Sequence, residues 1–401
     1  MGSELLPIGR RVAYWRGRRR MSQQVLADRL GKSKSWVDKV ERGVRSLDKV
    51  STIAEVAAVL RIDQATLLGR DRQRSAVDVR ADGVERIRAA LSTYDMTLGR
   101  RAAARDAPSV AHVARSIGHA WTTYQHARYP QLISGLPELV VGAQRCYTLD
   151  PGAGRVALVE AYRVTAALLV KLGEGELGWL AVDRAMTIAT DDAELVAAAA
   201  VQLGQVLRAT GRAGSAVSAM RTAAYRIVQA DLDGDQPAHL SLCGTLLVQA
   251  ALAAARQGDE RATASLLDEA ADLGGRVGDG HDHHRTAFGP TAVAVARAVA
   301  ALESGDAGEA AALHQEVVRR DGWRWLPTEH RAAYLLDAAR AHLQGDDPTR
   351  AARILLEADQ TAPSEVRHRP SARDLLNQMI RHPDAPMPII QLATTLAVGR
   401  A

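Results

Sequence analysis

Apolar residues recur along this chain at spacings of three and four, and few stretches show the strict alternation of a strand. Ile8, Val12 and Trp15 share one face of a helix expected over residues 8–19. Ser22 is a natural cap for a second helix with apolar Val25, Leu26 and Leu30, and Gly31 ends it. Ser33 opens a short third helix with Val37 and Val40 turned inward and Gly43 at its end. Leu47, Val50, Ile53, Val56, Ala57 and Leu60 predict a long amphipathic helix, and IDQATLLG closes the set. Five such elements in about 65 residues can fold alone.

Residues 69–82 (GRDRQRSAVDVRAD) are polar, charged and weakly periodic, and read as a linker or hinge. A helix is expected over 83–98, then a loop to Ser109. Beyond it a phrase repeats: a helix, a glycine followed by small or acidic residues, then a second helix with alanines spaced along it. The marking glycines are Gly173, Gly211, Gly258, Gly305 and Gly345, separated by 38, 47, 47 and 40 residues. In the clearest unit, AAAAVQLGQVLRATGRAGSAVSAMRTAA, residues Leu203, Gly204, Leu207, Gly211, Ala216, Met220 and Ala223 fit tetratricopeptide spacing. Tyr162, Leu169, Gly173, Gly178 and Ala185 fit in the preceding unit, Leu267 and Ala270 in the next, and Ala351, Leu355, Ala358 and Pro363 in the last. Because the spacing drifts from the consensus of about 34 residues, the array resembles that repeat loosely. Irregular helical packing is the alternative. Residues 371–381 read as a capping helix, and the tail beyond Pro383 as partly ordered at most.

Composition supports helices: the 401 residues include one Phe and few clusters of β-branched residues. The net charge of +5 is unevenly placed. Residues 1–72 carry 16 Lys and Arg against 8 Asp and Glu, while the rest carries 35 against 38. A compact basic head on a slightly acidic body suggests that the head meets a polyanion. Cys146 and Cys243 are too few for a disulfide framework and sit in apolar surroundings, so buried thiols in a reducing cytosol are expected. The N-terminus lacks an apolar signal core, Leu6 breaks a myristoylation pattern, and no window reads as a span of roughly 18 apolar residues. A cytoplasmic protein without a membrane partner is expected.

The runs SQQVLADRLG and SKSWVDKVERG, with LLG closing the segment, resemble the Xre-type, phage-repressor-like helix-turn-helix family over roughly residues 8–69. That resemblance implies a third helix lying in the major groove. It places Lys34, Ser35 and Lys39 toward base edges, Gln23 on a phosphate or a base, and Arg42 and Arg45 on phosphates. Ser33 caps that helix within the same DNA-facing set. The residues argue in the same direction: Lys34, Ser35, Asp38 and Lys39 lie opposite Val37 and Val40, and Lys and Ser donate to base acceptors or phosphates. Trp36 either packs on a sugar or thymine methyl, or against the end of the fourth helix. Such a head joined to the repeat array resembles the multidomain helix-turn-helix regulators of actinobacteria. In related regulators the array forms dimers and receives a peptide or small signalling molecule.

One stretch raises a different chemistry. GDGHDHHRTAFGP, residues 278–290, packs His281, His283 and His284 beside Asp279 and Asp282. The three imidazoles are too crowded to converge easily on one metal, and no Cys pair or His-x-x-x-His helix lies nearby. The glycines and Pro290 read instead as a connection between two array helices, with Thr291 capping the second. His284, Arg285 and Phe288 would then face an effector pocket together with Trp121, Tyr124 and Tyr162, suited to a peptide or an acidic small molecule. Core packing is the competing role for each aromatic, and Trp323 and Trp325 fit core, ligand wall or dimer contact. No GxSxG, GxxxxGK[ST] or HExxH motif occurs, and GAGR at 152–155 is only a glycine turn.

Together these features predict an all-α chain: a helix-turn-helix domain over 1–69, a linker and connecting helix over 70–109, a tetratricopeptide-like solenoid over 110–381 and a tail over 382–401. The expected function is a transcriptional regulator acting as a homodimer on a partly palindromic double-stranded operator. It would need no cofactor, metal or catalytic residue, and an effector would act through the 69–82 linker. Two other classes remain: an interaction scaffold with a subordinate DNA-binding head, and a metal-dependent enzyme using the His281–His284 loop.

Overall fold

The protein, seen in a computed structural model, is described over residues 7–47, 49–62, 64–68, 71–93, 108–230, 236–396 and 398, and these contain no strand. The chain divides into two compact units, Met1–Gly83 and Val84–Ala401.

The first unit holds α1 (Ile8–Arg18), α2 (Gln23–Leu30), α3 (Lys34–Glu41), α4 (Val50–Leu60) and α5 (Gln64–Leu68). Both expected serine caps form: Ser22 Oγ accepts from the Val25 N–H at 3.1 Å and Ser33 Oγ from the Trp36 N–H at 3.1 Å. Gly31 closes α2 in the left-handed conformation, with φ of 62°. Val12, Leu26, Val37, Val40, Ile53, Val56 and Leu60 meet in one core.

Helix α6 runs over Asp71–Leu91, so it begins where a linker was expected and ends before residue 98. Residues 71–82 contain neither Gly nor Pro, and polar helix formers need no apolar stripe to adopt the conformation. Residues 94–107, where the rest of the expected helix and loop fall, lie outside the described residues.

The second unit opens with α7 (Val110–Gln125) and α8 (Tyr129–Leu149). Five antiparallel pairs follow: α9 (Pro151–Lys171) with α10 (Gly175–Ala189), α11 (Ala193–Ala209) with α12 (Ala213–Ala230), α13 (Pro237–Arg256) with α14 (Glu260–Val277), α15 (Pro290–Glu303) with α16 (Ala307–Arg319), and α17 (Thr328–Gln344) with α18 (Pro348–Thr361). Each repeated glycine sits at the turn inside a pair. Gly173, Gly211, Gly258 and Gly305 hold φ of 77°, 75°, 74° and 92°. The N–H that follows each one reaches back across the turn, for example Asp259 N–H to the Ala254 carbonyl at 3.1 Å. In the last pair Asp346 takes the left-handed position in place of Gly345, with φ of 60°.

First helices of successive pairs pack on one another, from α9 through α11, α13 and α15 to α17, and form an inner layer. Helix α13 has the length and mean hydropathy, 1.5, of a membrane-crossing helix, contrary to the expectation that no stretch would qualify. Yet 78% of that stretch is buried in the core of its unit. Three helices follow the pairs: α19 (Pro363–His368), α20 (Pro370–Arg381) and α21 (Met387–Thr395). The tail expected to be partly ordered at most thus folds as α21, because Ile389, Leu392 and Ala393 form an apolar stripe that enters the core. Helix α17 also packs against α7, so the end of the array meets its beginning.

Candidate functional site

In the first unit, α3 is positioned from beneath. Val37 and Val40 anchor it to the core, and the carboxylate of buried Glu41 at its end ties three elements together. Arg16 Nε and Nη2 donate to Glu41 Oε1 and Oε2 at 2.6 and 3.1 Å, and Gln23 Nε2 donates to Oε2 at 2.8 Å. The Glu41 hydrogen bond raises the Arg16 pKa against the opposing effect of burial. Lys34, Ser35, Lys39 and Arg45 are left exposed, whereas Ser33 spends its hydroxyl on the cap. Trp36 is half-buried and packs against the core. Arg42 is exposed but pairs with Asp38 at 2.7 Å. Of the predicted DNA-facing set, Gln23 and Arg42 therefore already have side-chain partners within the domain.

In the second unit a cavity of about 330 Å³ opens on the inner layer, lined by α9, α11, α13, α15 and α17. Four residues of the predicted effector set reach it: Trp121, Tyr124, Arg285 and Phe288. Tyr162 does not. It is 1% exposed, and its hydroxyl accepts from Gln144 Nε2 at 3.1 Å in the core. The His284 ring also turns away from the cavity, to Glu194 Oε1 at 3.4 Å, and burial lowers its pKa below the usual histidine value.

The histidine loop is held by its acids. Asp279 Oδ1 and Oδ2 accept from the N–H and hydroxyl of Thr291 at 3.0 and 2.8 Å, so Asp279 caps α15 and Thr291, expected as the cap, is the donor. Asp282 accepts from the Ala287 N–H at 3.1 Å and from Gln125 Nε2 at 2.8 Å. Both carboxylates are thus occupied by turn and anchor contacts, while the His281 and His283 rings stack with centroids 5.8 Å apart. Among the described residues no group of three or more His, Cys, Asp or Glu is placed to hold a metal. Buried Arg163 fixes the loop from below, donating from Nη2 to the His284 carbonyl at 2.9 Å and from Nε to Gln202 at 2.9 Å. Phe288 is 2% exposed and rests directly on Gly244, where a Cβ would fall 2.0 Å from the ring. It belongs to the core as much as to the cavity wall.

Beyond Arg285, sequence reasoning missed the charged residues of this cavity: Lys171, Arg208, Arg256, Glu329, Asp337 and Arg369. Single charges within apolar phrases, Lys171 in ALLVKLG and Arg208 in QVLRATG, were the available signal. Beside the cavity, buried Glu365 accepts from Tyr129 and from Arg369 Nη1, the latter at 2.8 Å. Lys171 bridges Glu365, at 3.2 Å, to Glu329. Burial pushes the Glu365 pKa up, but Lys171 and Arg369 hold it below the usual carboxylate value.

Residues 7–68 match the helix-turn-helix domain family. No curated protein matches the chain. The crystal structure of BtubC (BKLC) from P. vanneervenii is similar at a TM-score of 0.38 and 16% identity, covering 62% of this chain and 90% of that one. A likeness at that level carries no functional weight. The domain match supports a DNA-binding regulator and points away from a catalytic role.

Proposed function

We propose that the chain is a sequence-specific transcriptional regulator of the Xre type, cytoplasmic and homodimeric, whose helical body receives an effector. The match of residues 7–68 to the helix-turn-helix domain carries this reading. The exposed Lys34, Ser35 and Lys39 on a rigidly seated α3 supply the base-facing donors it needs. Arg45 and, on exchange of its Asp38 partner, Arg42 supply phosphate contacts. The paired helices with glycine turns are read as tetratricopeptide-like repeats of an actinobacterial regulator, and their cavity receives a small molecule or peptide that changes operator affinity. Genome-wide footprinting with the purified full-length protein tests the central claim. A partly palindromic enriched site occupied by two copies is expected; the absence of any enriched site overturns the reading.

A further inference from the structure

The cavity is lined by five cations, Lys171, Arg208, Arg256, Arg285 and Arg369, against the two carboxylates Glu329 and Asp337. Four of the five have an acid of their own. Lys171 sits on Glu329 and Glu365, Arg256 on Glu303 at 2.6 Å, Arg369 on Glu365 at 2.8 Å, and Arg285 near Asp282 at 3.5 Å. Arg208 is the exception. Among the described residues no carboxylate lies within ion-pair distance of it; its Nη1 donates to the neutral amide of Gln249 at 2.9 Å. Its Nε is sealed from solvent without a hydrogen-bond partner. Burial first, and then the nearby Arg256, lowers the guanidinium pKa to about 10 against the weaker attraction of Glu303 and Asp337, neither of which is in ion-pair contact with it, so the group remains charged at neutral pH.

Arg208 is half-buried on the cavity lining, no carboxylate touches it, and its one hydrogen-bonded arm is tied to a neutral amide, so it has the chemistry to receive a carboxylate. Apolar and aromatic side chains line the same cavity, among them Trp121, Tyr124, Phe288 and Leu326. The loop that brings Arg285 to the cavity is strained: His284, Arg285 and Ala287 hold φ of 52°, 63° and 46°, a conformation that side chains disfavour and that clusters at ligand clamps.

We infer that Arg208 is the anchor for the carboxylate of an organic acid whose apolar or aromatic body fills this cavity. The carboxylate belongs either to a free small acid or to the C-terminus of a short peptide; both present the same planar anion. This assignment rests on the reading of the body as an effector receptor and adds the residue that holds the effector's acidic group.

Calorimetry on the full-length chain tests it with matched pairs: 4-phenylbutyrate against 4-phenylbutyramide, and a phenylalanine-ended tetrapeptide with a free against an amidated terminus. At least one acid should bind about tenfold or more tightly than its amide, since charge-assisted hydrogen bonds are about twice as strong as neutral ones. The pair that responds identifies the source. Arg208→Gln should erase the preference and Arg208→Lys should retain part of it. A merely structural arginine would destabilise on replacement, whereas Arg208→Met should leave the melting temperature of the free protein unchanged or raised. Equal binding of acid and amide, no binding by either pair, or a preference that survives Arg208→Gln overturns the assignment. Footprinting the same preparations separates the two readings. An enriched DNA site without acid preference removes only the carboxylate site; acid preference without any DNA site removes the regulator and leaves the anchor standing.

Discussion

Tyr129, at the first residue of α8, donates its hydroxyl hydrogen to Glu365, 236 residues later in α19. This contact closes the array upon itself, with Lys171 and Arg369 completing the shell of the buried carboxylate. Tyr129→Phe removes the neutral donor and should cost about 1–3 kcal/mol. Glu365→Ala should cost more, about 3 kcal/mol, because Arg369 loses its carboxylate and Lys171 keeps only Glu329. Hydrogen exchange should accelerate first in α19 and α20; unchanged protection there would show that the closure does not depend on this pair.

Phe288 seats the histidine loop on Gly244, where no Cβ fits. Gly244→Ala should displace the ring and cost about 1–3 kcal/mol by overpacking. Exchange over residues 283–288 should rise together with the loss in thermal stability. A full-stability Gly244→Ala protein would mean that the ring readily finds another position.

His314 is buried against Tyr334, with its Nδ1 3.3 Å from the hydroxyl. Burial, then His342 and Arg350, lowers its pKa to about 4. The folded state therefore takes up its proton later than the unfolded chain, and the associated stability is complete above about pH 6.5. It declines as pH falls toward 4, by about 3 kcal/mol over the whole interval at about 1.4 kcal/mol per unit. His314→Phe should retain the ring packing and flatten this part of the stability profile. Denaturation midpoints for both proteins between pH 4 and 7 check it; parallel profiles would exclude His314 as the source.

Lys34 and Lys39 project from α3 into solvent on the face opposite its core valines. Replacing both with Ala should weaken operator binding and flatten its dependence on salt, by about 0.9 in logarithmic slope for each phosphate that is no longer neutralised. Asp38→Ala should have the opposite effect, since it removes an acid from that face and frees Arg42. Titrations at several salt concentrations measure both, and unchanged slopes would move the DNA interface to another surface.

Much of the fold was legible along the chain because its signals are local. Ser22 and Ser33 satisfy helix N–H groups three residues away, and Gly31 and four of the five repeated glycines adopt backbone angles that a Cβ disfavours. The start of α6 was not legible, since polar helix formers leave no apolar stripe to read. Of the candidate cavity, the loop with Arg285 and three of the aromatics were visible, but the other charges and their pairing were not.

Where most of the helices begin and turn, α6 and α21 apart, and which end of the chain is basic, follow from the order of residues alone, through sterics and hydrogen bonds spanning a few positions. That Gln23 bonds Glu41, that Tyr129 finds Glu365, and that Arg208 differs from the other cavity cations in lacking an acid among the described residues all depend on the packed fold. A charge's partner is set by which helices the core brings side by side. Whether that charge is expensive depends on how much water the same packing removes.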